Sequence, residues 1–581
     1  MQKFFALFLT GLLVYSCAEK EMESQIAPEQ YTAPSYTDIS DESESIAIDL
    51  VDIAKAAGIN FVHENGAFGK KWMPETMGSG GGFLDYNGDG LPDILLVNSK
   101  PWREGSYSSS GSTTLALYQN LGAAKFKNVT NSAGLDVSLY GMGCAFADYD
   151  ADGDVDIYLT AVGANKLLRN DGGVFYDVTD AARVSGNDAD AGVPPAWSTS
   201  AAWLDYDGDG WLDLFVCNYV KWTPETDIFT TLDGKNKSYA TPEQYQGETS
   251  RLYRNLGDGR FEGATEKAGV FNPEGKSLGV AIADFNDDGW PDLAIANDTQ
   301  PNFLYLNQRD GSFENIALQA GIAYDEVGRA RAGMGIDIAD LANDGKLSIA
   351  IGNFAREPIS LYTQIDQTLF QDRAGAARIT RPSLLNLTFG LLFADLDLDG
   401  YQDLLTANGH IEPAINAVQQ DIAFAQSPQL FHNNRAGQLV DITEQLSSSF
   451  REPTVARGLA SADIDEDGDL DILLTVNAGS PRLFRNDLPA GQANWLKILL
   501  RGKHPNQQAF GTKITIYAGD LRQSRLVRTG SSYLSQSDIS KHTFGLGAAG
   551  QADSILVCWP TGNAVTRLGK TKANQIIEIR Q

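Results

Sequence analysis

One nine-residue pattern, D-x-[DN]-x-D-G-x-x-D, recurs along this chain of 581 residues and constrains its fold more than any other feature. It stands complete from Asp85 to Asp93, Asp148 to Asp156, Asp205 to Asp213, Asp284 to Asp292, Asp395 to Asp403 and Asp463 to Asp471, with a degenerate copy from Asp340 to Ser348. Successive copies begin 55 to 79 residues apart. That interval suits one four-stranded propeller blade with loops of varying length.

The flanks of each copy read as strands. A small, glycine-bearing apolar run precedes the loop, as in GSGGGFLDY, GMGCAFADY and GVAIADF. A β-rich run follows it, as in DILLVN, DIYLTAV, DLFVCNY and DILLTVN. These runs have strand length and turn residues at their ends. A second repeat lies between the loops, fullest from Leu252 to Phe261 and echoed at Leu168-Arg169-Asn170, Leu304 to Asn307 and Leu483 to Asn486. Its Asp-Gly between apolar runs predicts a hairpin. The expectation is an all-β chain: a seven-bladed β-propeller over 48–488, then a small β-sandwich-like domain over 489–581.

The acidic loop has the chemistry of a calcium site. Calcium takes six to eight oxygen ligands in a flexible shell. Positions 1, 3, 5 and 9 supply side-chain oxygens, and glycine at position 6 permits a bend that a Cβ would hinder. The candidate ligands are Asp85, Asn87, Asp89 and Asp93; Asp148, Asp150, Asp152 and Asp156; Asp205, Asp207, Asp209 and Asp213; Asp284, Asn286, Asp288 and Asp292; Asp395, Asp397, Asp399 and Asp403; and Asp463, Asp465, Asp467 and Asp471. The degenerate copy keeps Asp340 and Asp344 but has Ala342 and Ser348 at two ligand positions, so a weak or empty site is expected there. An EF-hand would need Glu at position 12 and flanking helices. Position 12 here is Leu96, Leu159, Val216, Ile295, Thr406 or Leu474, and strand sequence follows.

Charge agrees with this reading. Lys and Arg number 45 against 75 Asp and Glu, a net charge of −30, which argues against a general nucleic-acid partner. Twenty-four of the aspartates lie at ligand positions of the seven copies. With dissociation constants of roughly 0.1 mM, about 1 mM calcium adds on the order of 1.4 kcal/mol per loop. About six filled loops are expected. Cys144, Cys217 and Cys558 sit in strand-like apolar runs without a CxxC, so metal rather than disulfides is expected to stabilise the chain.

The N-terminus reads as an export signal. Lys3 precedes an apolar run from Phe4 to Leu13, and Val14-Tyr15-Ser16-Cys17 resembles a bacterial lipobox with Cys17 as the lipidated residue. Residues 18–47 are acidic and rich in Ser, Glu and Pro, as a flexible tether would be. The expected location is that of an outer-membrane lipoprotein, held to the membrane through its lipid alone, with display at the cell surface as one option.

The repeats resemble FG-GAP, or VCBS, units, the propeller repeats of integrin α-chains. The C-terminal portion carries Asn494-Trp495-Leu496-Lys497, Phe510-Gly511-Thr512-Lys513, Gly530 to Ser537, His542 to Gly547 and Trp559-Pro560-Thr561-Gly562. This succession resembles the ASPIC/UnbV domain that follows such repeats in relatives of cartilage acidic protein. Phe61 to Gly66 and Ala407 to Ile411 are similar to that family as well. The resemblance implies a calcium-binding extracellular protein without established catalysis. Read on its own, the C-terminal portion holds about six strands: WLKILLRG, KITIYAG, RLVRTG, HTFGLG, SILVCW and IIEIR.

Catalytic motifs are weak. Gly275-Lys276-Ser277-Leu278-Gly279 fits G-x-S-x-G but lies before a predicted strand, whereas a nucleophile elbow opens a helix. Five scattered histidines show no zinc spacing. No catalytic residue is assigned. The segment 219–251, with Trp222, Tyr239 and Tyr245, is the best candidate for an added binding loop. The expected function is a non-catalytic recognition or adhesion module for a glycan or protein. The alternatives are a polysaccharide-active propeller enzyme and an assembly component of an outer-membrane complex.

Overall fold

The computed structural model describes residues 48–102, 113–186, 196–489, 491–560 and 564–581. The expected signal peptide, Cys17 and the tether lie outside the described residues. The chain is all-β. Seven sheets, each built on four antiparallel strands, follow the seven sequence copies in order, and the blade 1 sheet gains a fifth, parallel strand from the C-terminal portion. Blade 1 runs Gly81–Leu84, Asp93–Val97, Leu115–Asn120 and Phe126–Asn128. Blade 7 runs Ala456–Ala462, Asp471–Val476 and Arg482–Asn486, and Leu50–Asp52 from the start of the described chain completes it, with Leu50 opposite Asn486.

The inner strands of the other blades are Gly141–Ala147, Ser198–Leu204, Ser277–Ala283, Ile336–Ala339 and Thr388–Ala394. Each inner strand lies beside the next, and the seventh lies beside the first, so the sheets form a closed propeller. Both faces of each sheet are covered by neighbours. This is why runs such as Asp93–Val97 and Asp156–Ala161 are buried at every position and show no alternation.

The ring is stitched by one repeated hydrogen bond. An amide in the third strand of each blade donates to a backbone carbonyl in the acidic loop of the preceding blade. Asn170 reaches Tyr86 O at 2.8 Å, Asn255 reaches Tyr149 O at 2.9 Å, and Asn307 reaches Tyr206 O at 2.8 Å. Asn433 reaches Leu341 O, Asn486 reaches Leu396 O, and Asn120 closes the circle on Ile464 O. In degenerate blade 5 a longer side chain, Gln364, makes the same bond to Phe285 O at 2.8 Å.

The C-terminal domain has a three-stranded sheet of His542–Gly547, Asn494–Arg501 and Gln575–Arg580. A four-stranded sheet joins Leu521–Leu526, Lys513–Ala518, Ser554–Cys558 and Val565–Leu568. The stretch read as one strand, RLVRTG, therefore leaves its sheet after Leu526. Residues 528–538 instead form a finger that enters the propeller channel. Ser535-Gln536 pair in parallel with Gly81-Gly82 of blade 1. Cys144 N of blade 2 donates to Leu534 O, and Thr529 exchanges two hydrogen bonds with the Trp203 backbone of blade 3. Ile336 N of blade 5 donates to Ser532 O, and Leu459 N of blade 7 donates to Ser532 Oγ. Gly530 packs against Val280 of blade 4, and the Tyr533 ring packs at a tilt of 54° against Phe389 of blade 6 with centroids 5.1 Å apart. All seven blades touch the finger.

The boundary near residue 488 thus separates sheets but not packing. One hydrophobic core runs from Tyr158 and Trp203 of blades 2 and 3 into Leu496, Ile514, Phe544 and Val557 of the C-terminal domain. Among the described residues, no helix is long and apolar enough to cross a membrane.

Candidate metal loops and the two ends of the propeller

Each acidic loop joins the first and second strands of its blade, so all seven lie at one end of the ring. They close in the same way. The carboxylate at position 1 accepts the backbone N–H of the glycine at position 6: Asp85 from Gly90 at 2.9 Å, Asp148 from Gly153 at 3.0 Å, Asp205 from Gly210 at 3.0 Å and Asp284 from Gly289 at 2.8 Å. Asp340, Asp395 and Asp463 repeat the bond to Gly345, Gly400 and Gly468. That glycine has positive φ in every copy, from 86° at Gly90 to 114° at Gly468, a conformation L side chains rarely adopt.

Position 9 also acts as an anchor. Asp93 accepts N–H bonds from Tyr86 at 3.2 Å and from Asn120 at 2.7 Å. Asp156, Asp213, Asp292, Asp403 and Asp471 accept the equivalent pair. Each oxygen keeps a second lone pair for another partner.

The carboxylates converge. One oxygen from each of Asp148, Asp150 and Asp156 lies within 4.8 Å of the others, and the same holds for Asp205, Asp207 and Asp213, and for Asp463, Asp465 and Asp471. Asp397 and Asp399 of blade 6 converge with His432. Blades 1 and 4 place Asn87 and Asn286 at position 3, where each amide donates to the position 5 carboxylate. Asp150, Asp395, Asp463 and Asp465 each keep a buried Oδ1 without a hydrogen-bond partner. Burial pushes carboxyl pKa values up, to about 8 at Asp93 and Asp292 and about 7 at Asp148 and Asp205. Neighbouring aspartates add to the shift. Clustered, desolvated, partly unpartnered carboxylate oxygens are the donor set a hard divalent cation satisfies.

Blade 5 keeps the loop fold, with Asp344 N and Gly345 N donating to Asp340. Ser348 replaces the position 9 carboxylate and bonds Thr363. Basic residues missed by the sequence reading brace several loops. Arg254 bonds Asp207 at 2.5 Å and Asp209 at 2.9 Å, Arg309 bonds Asp288 and Arg435 bonds Asp399. Arg254 stands just before the repeated asparagine, the signal that would have placed it beside the loop.

The loop end is not an open rim. The C-terminal domain lies on it. Lys541 donates to Gly90 O at 2.6 Å, and Gln507 donates to Ala151 O at 2.8 Å. His504 packs edge-on against Trp211, and Lys513 pairs with Asp287. Arg522 and Arg525 line a cavity of about 270 Å³ with Asp340. Gly545 N donates to Asp395, and Lys497 pairs with Asp463. Every loop of the ring meets this domain.

The segment 219–251 crosses the other end, because it joins second and third strands. Trp222 is buried in an edge-to-face cluster with Trp72, Trp102 and Trp197. Tyr239 donates to Glu75 at 2.9 Å, and its backbone N–H donates to Glu412, which also pairs with Lys71 at 2.7 Å. Tyr245 Oη accepts from Ile228 N. These three aromatics hold the loop in place and are not its exposed contacts. Phe229 and Leu232 of the same segment are 65% and 47% exposed, and exposed Phe68 lies against Trp72. His63 and His410 both sit near the buried Arg457 guanidinium, and Ser277 is a buried inner-strand residue bonded to Asn297.

Comparison with known proteins matches these parts. The FG-GAP-like repeat family matches residues 85–159, 148–216, 226–295 and 284–351, and the ASPIC and UnbV family matches residues 502–581. Cartilage acidic protein 1 of Homo sapiens is 26% identical over 461 residues, covering 75% of this chain and 63% of that protein. Its Xenopus tropicalis counterpart is 25% identical over 459 residues, covering 75% and 64%. The chain thus spans just under two thirds of the length of these relatives. An Agrocybe aegerita lectin structure superposes with a TM-score of 0.37 at 16% identity, over 61% of this chain and 77% of that one.

Proposed function

We propose that this chain, built of FG-GAP-like repeats with a C-terminal ASPIC and UnbV domain and homologous to cartilage acidic protein 1, is a calcium-binding, non-catalytic recognition module for a glycan or protein partner. Its N-terminal sequence supports export and anchoring through Cys17 as an outer-membrane lipoprotein. One observation carries the reading: every acidic loop lies beneath the C-terminal domain, while the opposite end presents apolar side chains on a braced loop. Calcium at positions 1, 3, 5 and 9 would neutralise the clustered carboxylates and fix the platform on which the domain rests. The residues named at those positions would hold the ion. Calcium supplies charge neutralisation and coordination, and no chemistry on a partner.

Recognition then belongs to the end that carries Phe68, Phe229 and Leu232. Exposed aromatic and aliphatic anchors on a fixed loop lose little entropy on binding. The test is a glycan and protein binding screen with the purified chain in calcium, repeated with a Phe229→Ala/Leu232→Ala variant. Saturable binding that weakens about tenfold or more in the variant is expected. Turnover of a glycan, or binding indifferent to both substitutions, would contradict the proposal.

A further inference from the structure

The residue just before the repeated amide differs among blades in a chemically telling way. It is Arg169, Arg254 and Arg485 in blades 2, 3 and 7, and Gln119, Leu306 and Thr363 in blades 1, 4 and 5. In blade 6 it is His432. Arg169 and Arg485 pair with Asp171 and Asp487 outside the acidic loops, while the Arg254 guanidinium braces its loop on Asp207. A guanidinium has no lone pair to offer a cation, whereas a neutral imidazole has one.

His432 Nε2 lies 3.0 Å from Asp397 Oδ2, and one ligand atom from each of Asp397, Asp399 and His432 falls within 4.8 Å of the others. Two donor atoms 3.0 Å apart can form one edge of a coordination shell. A second, independent feature points into the same loop. Asp395 is 1% exposed, and its Oδ2 accepts from Gly400 N and Gly545 N. Its Oδ1 has no partner. Among the described residues, the other converging sets contain carboxylates alone. Oxygen-only sets suit calcium, and one nitrogen donor shifts preference toward zinc and its neighbours in the d-block.

We propose that the blade 6 loop is a distinct site for a d-block divalent cation of the zinc type, ligated by His432, Asp397 and Asp399, with Asp395 as the buried carboxylate of the same loop. This inference rests on reading the loops as cation sites but not on any partner. The test uses the full chain, stripped of metal and kept in about 1 mM calcium throughout. Zinc alone is titrated by calorimetry, with a melting curve before and after. One saturable zinc per chain is expected, about tenfold weaker or more in His432→Asn. His504→Asn, beside Trp211 and outside this loop, should bind zinc as the parent does. Asp397→Asn is the second variant, for the case in which His432→Asn fails to fold.

Absence of saturable zinc binding in calcium, or unchanged affinity in folded His432→Asn, would overturn the proposal and leave His432 a brace like Arg254. A melting curve of the metal-stripped chain with and without calcium, run beside the titration, separates the two failures. If calcium stabilises and zinc does not bind, only this inference falls. If neither ion acts, the reading of the loops falls with it.

Discussion

At the scale of the residue, the fold depends on buried polar groups with fixed partners. Asn255 is 1% exposed and donates to Tyr149 O and Leu212 O, so it ties two blades together. Asn255→Ala leaves both carbonyls without a partner, and a loss of about 2–3 kcal/mol is expected in denaturant unfolding. A change within about 0.5 kcal/mol would mean that the inter-blade bond is dispensable. His63 gives a pH prediction. Burial, with Arg457 nearby, lowers its pKa from 6.5 to about 3. The unfolded chain therefore binds a proton that the folded chain refuses. This contribution is fully present above about pH 6.5 and is lost as pH falls toward 3, at about 1.4 kcal/mol per unit. His63→Asn keeps an acceptor for Ala478 N and removes the titration. In saturating calcium, which holds the loop carboxylates ionised, its stability should fall less steeply with acid than the parent's. Identical slopes would contradict the assignment.

At the scale of the element, the finger is the part that sequence concealed. The loops and strands were legible because each is local: nine residues with a period, followed by a run of strand length. The finger reads as a polar, glycine-bearing loop, Gly530-Ser531-Ser532-Tyr533-Leu534-Ser535-Gln536, and its partners lie from about 70 to over 450 positions away. Nothing in its pattern says that it is surrounded by seven strands. Ser532 and Leu534 have φ of 59° and 55°, and this costly conformation persists because the blades hold it on all sides. The small residues of the inner strands make room for it. A Cβ at Gly458 would collide with Ser535 Oγ, whereas one at Gly263, at the blade edge, meets nothing within 4 Å. Gly458→Ala should cost about 2 kcal/mol or more, and Gly263→Ala should stay within about 1 kcal/mol of the parent. Equal effects in thermal unfolding would mean that the channel is looser than described.

At the scale of the molecule, two closures make one body. Leu50–Asp52 completes blade 7, and the finger and its domain cover the loop end. The acidic loops and most of the C-terminal strands were legible in the sequence, and 219–251 stood out as a candidate binding loop, but nothing local showed that the C-terminal domain covers the loop end. Which end is free follows from contacts of Lys497, Gln507, Lys513, Lys541 and Gly545 with loops far away in the chain, and such contacts leave no periodic trace. A chain ending at Leu488 would lose the finger from all seven blades and expose the core shared with Leu496 and Phe544. It should fail to give a cooperative melting transition, and a stable, cooperatively melting fragment would contradict the shared core. The most direct test of the whole account is calcium titration of the metal-stripped chain lacking residues 1–17, by calorimetry with parallel melting curves. About six bound ions, the blade 6 loop taking calcium where no zinc is present, and a marked rise in melting temperature are predicted, on the order of 8 kcal/mol in total if each site binds near 0.1 mM. No saturable binding and an unchanged melting temperature would mean that the loops are acidic turns held by their own hydrogen bonds, and the calcium-fixed platform would have no basis.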